Sequence, residues 1–289
     1  MTGTTGTTGA AVLAHDLVHL FHTDGHDVAA LSGISLTIDP GEFVGLLGPS
    51  GSGKSTLLLV CAALLTPSAG RLLIDGTNIV TLPEPARDRL RALNIGVVLQ
   101  GSPRNLVSYL TVAENVVFAQ RAARAAGAAE EQLPAVDEVL SLVGLRAAPT
   151  ARAESLPPDQ LQLLALACGL AHRPRLLLAD EPTSRLDDAA RDVVLAALNA
   201  LNEQWRTTVV LVTHDAAVAA ALPRTVTIRD GRIGAEGRLG KQYSVITADG
   251  SLALPPDLLA VHPPGTLLRI ERSGRGLRLD PVEEAPDAE

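Results

Sequence analysis

The sequence predicts an α/β fold: a mostly parallel sheet with helices on its faces, an antiparallel β part ahead of it, an inserted helical block and a small β-rich appendage. Three observations predict it. Short apolar runs at 43–47, 95–99, 176–179 and 208–213 alternate with stretches long enough for helices. The first run leads into Gly48-Pro49-Ser50-Gly51-Ser52-Gly53-Lys54-Ser55-Thr56, and an apolar run at 57–65, long enough for a helix, leads out. The run at 176–179 ends in Asp180-Glu181 and the run at 208–213 ends at His214, strand ends of the kind where α/β sheets bind ligands.

Taken in order, residues 1–10 are a Thr/Gly repeat with no basic residues and no apolar segment of signal-peptide type. Residues 1–11 are expected to be a disordered tail. Loose alternation over 12–20 predicts a strand ending near Phe21. Residues 31–38 and 42–47, separated by Asp39-Pro40-Gly41, predict a hairpin that enters the glycine-rich loop. Residues 71–74 form a short strand closed by Asp75-Gly76. Residues 112–171 are Ala-rich and helical, broken at Gly127, Pro134, Gly144 and Pro157-Pro158. A helix is expected over 188–205, and strands at 226–229 and 232–235 flank the hairpin signal Asp230-Gly231. The expected domains are 12–238, with a helical subdomain at about 101–171, then 239–281, with an acidic tail at 282–289.

Composition sets limits. A chain of 289 residues that is 46% hydrophobic has material for one large domain, or one domain and a small appendage. A net charge of −8 and 2% aromatics oppose nucleic-acid binding. Cys61 and Cys168 lie in apolar, helical runs and make no disulfide framework; buried thiols are expected. No apolar stretch approaches the ~20 residues that span a bilayer, so a membrane link is expected through a partner.

The glycine-rich stretch reads G-x-x-x-x-G-K-S, a phosphate-binding loop in its required strand–loop–helix setting. Its glycines let backbone N–H groups turn onto an anion, and the helix N-terminus adds its own free N–H groups and dipole. Lys54 is placed to reach the β- and γ-phosphates and Ser55 to hold Mg²⁺. A plain Gly/Ser turn before a helix is the competing reading. It does not explain why a chain with 24 Lys and Arg, only two of them lysines, keeps Lys54 here. Asp180 suits Mg²⁺, directly or through water, and Glu181 suits a general base that polarises the attacking water.

These residues, in order, resemble the nucleotide-binding subunit of an ABC transporter over about 12–236. The resemblance identifies Phe21 as the aromatic that stacks on adenine, Gly48 to Thr56 as Walker A, and Gln100 as the Q-loop glutamine near Mg²⁺ and the attacking water. Leu178-Ala179-Asp180-Glu181-Pro182-Thr183 is similar to Walker B, Ser184-Arg185-Leu186-Asp187 to the D-loop, and His214 to the switch histidine at the γ-phosphate. Residues 31–36 and 105–115 look most like the lipoprotein-release, macrolide-export and cell-division group. The resemblance implies an ATPase with ATP and Mg²⁺ as cofactors, working as a head-to-tail homodimer or heterodimer with a second ABC ATPase. It also implies an integral membrane permease as partner and a place on the cytoplasmic face of the plasma membrane, with no nucleic acid expected. A non-transport ABC ATPase and a regulatory module with little turnover are the alternatives.

One segment departs from the family. The signature, usually Leu-Ser-Gly-Gly-Gln, falls on Leu156-Pro157-Pro158-Asp159-Gln160, and two family arginines of the next helix are Leu163 and Cys168. This leaves the cis half of the site complete and the trans half altered, and points to a second ATPase as partner.

Two further regions carry expectations. His15, His19, His22 and His26 crowd the first strand and its turn; without Cys or acidic partners at diagnostic spacing an exposed loop is expected in preference to a metal site. After Gly240, turn signals at Asp249-Gly250, Pro263-Pro264-Gly265 and 273–276 give a β–β–helix–β–β order that resembles the swapped-hairpin domain of AbrB-type regulators. Those regulators bind DNA. Here Lys241, Arg269, Arg272, Arg275 and Arg278 are outnumbered by eight acidic residues, so a dimerisation or regulatory appendage is expected instead.

Overall fold

The structure, a computed structural model, describes residues 9–281 except 24, 185, 239–240, 247–249, 251, 253, 255, 264 and 275. The tail expectations at 1–8 and 282–289 lie outside the described residues. Residues 9–11 do not behave as a tail. Ala10 is fully buried and donates to Arg175 O at 2.9 Å, while Thr208 Oγ1 donates to Ala10 O at 2.7 Å.

Two sheets share the work. Strands β1 (Val12–Thr23), β2 (His26–Ile38), β4 (Ala69–Ile74) and β5 (Thr77–Asn78) form an antiparallel sheet in the order β2-β1-β4-β5. The second sheet contains β3 (Phe43–Leu47), β6 (Ile95–Val98), β7 (Leu176–Asp180), β8 (Thr208–Val212), β9 (Arg224–Arg229), β10 (Arg232–Arg238) and β11 (Lys241–Ser244), in the order β11-β10-β9-β3-β8-β7-β6. Strands β9, β3, β8, β7 and β6 run parallel, while β10 and β11 continue the sheet antiparallel.

The central strands read as continuous apolar runs because both faces are buried. Leu177, Ala179, Val209 and Leu211 point into one core, and Leu176, Leu178, Val210 and Val212 into the other. The first core is closed by helices α3 (Val112–Ala125), α4 (Val136–Leu142), α5 (Pro158–Leu170) and α6 (Asp188–Trp205). The second lies between the parallel sheet, α1 (Lys54–Cys61) and the antiparallel sheet. Buried Arg224 ties the two sheets together, donating to Thr37 O at 2.9 Å and to Glu42 at 2.7 Å.

The expected hairpin of 31–38 with 42–47 is not formed. β2 pairs with β1, whereas β3 crosses into the other sheet between β8 and β9. The cause is burial: Phe43, Val44 and Leu46 are apolar on both faces, and only the middle of the parallel sheet buries both. Two helices lie outside the sequence expectations, α2 (Glu84–Asn94) and α7 (Ala216–Ala221). The first buries no residue, which leaves a weak apolar signal.

In the C-terminal extension β11 pairs with β10, so the boundary at 238/239 cuts between two paired strands of the large sheet. Beyond it come α8 (Pro256–Val261) and a two-stranded ribbon of β12 (Leu268–Ser273) and β13 (Gly276–Pro281). Among the described residues no helix is long and apolar enough to cross a membrane.

Candidate functional site

The strand β3 ends at Leu47, and the chain turns at Gly48 with φ +140°. A Cβ here would stand 2.0 Å from Ile228 O, and one at Gly53, φ +100°, would stand 2.2 Å from Ala30 O. Both positions therefore need glycine, because backbone from β9 and β2 presses against the loop. The turn between β9 and β10 holds it as well: Gly231 N donates to Ser52 O at 3.1 Å. The expected helix at 57–65 begins earlier, at Lys54, and ends at Cys61. Lys54 and Ser55 thus lie in the first turn, where free N–H groups face the loop.

One cleft of about 640 Å³ gathers the whole cis set. It is lined by Phe21, the loop from Gly48 to Thr56, Gln100, Asp180, Glu181 and His214, and also by Val28, Ala29 and Ala30 of β2, which had no sequence signal. Lys54 Nζ donates to Pro49 O at 2.7 Å. Burial lowers the Lys54 pKa, and the charges of Glu181 and Asp180 oppose that shift. Burial raises the Asp180 carboxyl, against a hydrogen bond from Ser55 and the charge of Lys54. Asp180 Oδ1 is buried with no hydrogen-bond partner, an orphaned anionic oxygen beside Ser55 that suits a hard cation.

Glu181 follows at φ +50°, left-handed backbone for a non-glycine residue, held by Glu181 N donating to Val212 O at 3.0 Å. Its Oε1 lies 2.7 Å from His214 Nδ1. The Glu181 side chain is buried while the His214 ring is largely in solvent, so the pair spans the cleft from wall to mouth. Asp215 accepts from Ala217 N at 2.8 Å and caps α7, and Arg191 of α6 reaches its other oxygen at 3.5 Å. Asp187 caps α6, accepting from Ala190 N at 2.8 Å. Arg191 therefore links the helix behind Asp187 to the turn behind His214. An aspartate before a helix is a readable cap signal; Arg191 had none.

The segment after β6 is fixed by two asparagines. Asn105 accepts from Leu99 N and donates to Leu99 O, both at 2.8 Å, which sets the backbone leading into exposed Gln100. Buried Asn115 accepts from Val107 N at 2.8 Å and donates to Thr111 O at 3.0 Å.

Leu156-Pro157-Pro158-Asp159-Gln160 lies away from this cleft. Pro157 is the N-cap of α5 with no side-chain cap bond, and Pro158 occupies its first turn. Gln160 donates to Asp159 at 3.1 Å, and that bond, with the charge of Arg146, holds Asp159 below the usual carboxylate range. Leu163 and Cys168 are buried in the helical core. Among the histidines, His15 pairs with Asp16 and His22 with Asp27. His19 departs from the expected exposed loop: it is buried, bonds Thr66 O at 3.1 Å and packs edge-on against Phe21 at 4.7 Å. No group of three or more metal-ligating side chains is found among the described residues.

Known proteins resemble this chain in sequence and in fold. The sequence model of the family described as ABC transporter matches residues 31–184. The ATP-binding protein LolD of the lipoprotein-releasing system of Anaeromyxobacter dehalogenans is 42% identical over 72% of this chain and 85% of its own. The macrolide export ATP-binding/permease protein MacB of Syntrophobacter fumaroxidans is 38% identical over 82% of this chain, which spans 32% of that longer protein. The dimeric post-hydrolysis structure of the ATP-binding cassette MJ0796 with ADP and Pi superposes with a TM-score of 0.69 at 32% identity, covering 79% of this chain and 98% of that one. The chain belongs to the ABC transporter family, as an ATP-binding, ATP-hydrolysing cassette.

Proposed function

We propose that the cleft binds ATP with Mg²⁺ and that its hydrolysis, at a site completed by a second ATPase, drives or gates an integral membrane permease from the cytoplasmic face. The observation that carries the chemistry is the joining of Lys54, Asp180, Glu181, Gln100 and His214 in one cleft, with Glu181 hydrogen-bonded to His214. Phe21 at the rim offers an exposed ring for adenine. Lys54 gives up its carbonyl partner at Pro49 to meet the phosphates. Ser55, Asp180 and Gln100 would hold Mg²⁺, which neutralises phosphate charge when bound. Glu181 accepts the proton of the attacking water, and His214 orients Glu181 and faces the γ-phosphate.

Glu181→Gln tests this. ATP binding is expected to persist and turnover to fall by ~10²-fold or more, the usual range for loss of a general base. Turnover within a few-fold of the parent would show that another residue positions the water.

A permease needs a docking place. A groove of about 980 Å³ between α2 and α3, with exposed Phe118 on its wall and Asn105 and Asn115 at its base, supports such a contact. The two relatives named above act on different cargo by their names, so the substrate follows the permease and not the cassette. The expected AbrB-like order is met only in part, since β11 pairs with β10 and Ile246 and Leu252 form an isolated bridge in place of the first hairpin; a regulatory or dimerising role for the extension is proposed on the ribbon and α8.

A further inference from the structure

The C-terminal ribbon is unfinished as a sheet. β12 and β13 pair with each other and with no other strand among the described residues. An isolated two-stranded ribbon is marginal in water. Its cross-strand pairs alternate in character. Ile270 opposes Leu279 on one face, and Arg269 opposes Asp280 and Glu271 opposes Arg278 on the other. The face of Ile270 and Leu279 is uncovered: Ile270 is 64% and Leu277 63% exposed, with Arg272 opposite Leu277 at its end. A concentration of this kind marks an interaction surface.

The free edge says what fits. Ser273 opposes Gly276 across a two-residue connection, the hydrogen-bonded closing pair of such a hairpin. Residues 269, 271 and 273 therefore bond inward, and 268, 270 and 272 direct their N–H and C=O groups outward. On β13 the outward set is 277, 279 and 281, and Pro281 has no N–H, which blunts that edge. β12 is the open one. Its outward residues are centred on Ile270, with Arg269 on one side and Glu271 on the other. Laid antiparallel on a copy of itself about Ile270, β12 meets its own complement: Ile270 faces Ile270, and Arg269 faces Glu271 twice, in the non-hydrogen-bonded pairs where side chains lie closest.

We propose that β12 is a self-pairing edge that joins two copies of this chain through a continuous ribbon β13-β12-β12-β13, in the register Arg269 opposite Glu271. This goes beyond the ATPase reading and does not depend on which cassette completes the nucleotide site.

The test is the mass of the full-length protein, free of nucleotide and magnesium, by sedimentation or light scattering. The parent is expected to be dimeric at tens of micromolar. Arg269→Glu alone places four acidic residues in the interface, Glu271→Arg alone places four basic ones, and each is expected to be monomeric. In an equimolar mixture of the two variants, one strand brings only acidic side chains to these positions and the other only basic ones. Both cross-strand pairs are then of opposite charge, and a heterodimer is expected. Ile270→Lys is expected to be monomeric while retaining ATP binding, which reports that the cassette is folded. A monomeric parent would overturn the proposal and assign the face to a different partner. Dimers that survive either reversal would place the contact elsewhere, and failure of the mixture to reassociate would reject the register.

Discussion

Among the described residues that line the cleft, Lys54 is the single lysine or arginine, already desolvated and already facing two carboxylates. Lys54→Ala is expected to weaken ATP binding and abolish nucleotide-dependent activity; a variant with unchanged affinity and turnover in a nucleotide-binding and phosphate-release assay would contradict the loop reading. His172, just after α5, carries a different consequence. Burial lowers its pKa from 6.5 to about 4, with Ile95 O accepting its ring proton at 3.2 Å. Between those values the unfolded chain binds the proton and the folded chain does not. The stability is therefore full above about pH 6.5 and lost as pH falls toward 4, by at most about 3 kcal/mol. Melting curves from pH 7.5 to 4.5 should fall less steeply for His172→Gln than for the parent; parallel curves would show that His172 is not the group. The two residues differ in legibility. Lys54 stands in a motif with a required setting, whereas His172 meets β6 through Ile95 O, a partner far from it in sequence.

At the scale of elements, strands buried on both faces were legible, and so was the long helix α6 capped by Asp187, while the short α7, though capped by Asp215, was not. The helix at Asp188–Trp205 falls where the pattern put it, and β7 and β8 end at the chemistry-bearing residues. The hairpin into the loop failed because Asp39-Pro40-Gly41 signals a turn without saying which sheet receives the next strand. Helix α5 shows what an altered element means for function. Serine and glycine at its start are expected in the family to donate to the opposite subunit's γ-phosphate; Pro157 and Pro158 have no N–H, and Asp159 is held ionised. A like charge at ~4 Å opposes closure by about 1 kcal/mol in water and about 4 at an effective dielectric of 20. The proposal that a second ATPase with an intact signature completes the site on Lys54, Glu181 and His214 follows from this. The isolated subunit is expected to turn over slowly, and the triple change Pro157→Ser, Pro158→Gly and Asp159→Gly to raise its ATPase activity. Ordinary turnover by the unmodified subunit, with no gain on restoration, would favour a working homodimer.

At the scale of the molecule, the nucleotide cleft is built from residues 21–214, and the extension lies beyond it. Removing residues 247–289 is expected to leave ATP binding intact and to abolish self-association; a truncated protein that cannot bind ATP would make the extension part of the core. Sequence reasoning placed the boundary at 238/239 because Gly240 and the turn signals after it mark a change of character, but hydrogen bonding across a sheet edge leaves no mark in composition. Strand β11 completes the ladder on β10, so a cut at 240 is a different experiment from a cut at 246. β10 begins at the turn whose Gly231 holds Ser52, and its far end carries β11. The phosphate loop and the C-terminal extension are thus mechanically in series, with one strand as the spring between them. Anchoring or releasing the extension is therefore expected to alter hydrogen-exchange protection of the loop's backbone amides, and unchanged protection would show that β10 carries no such coupling.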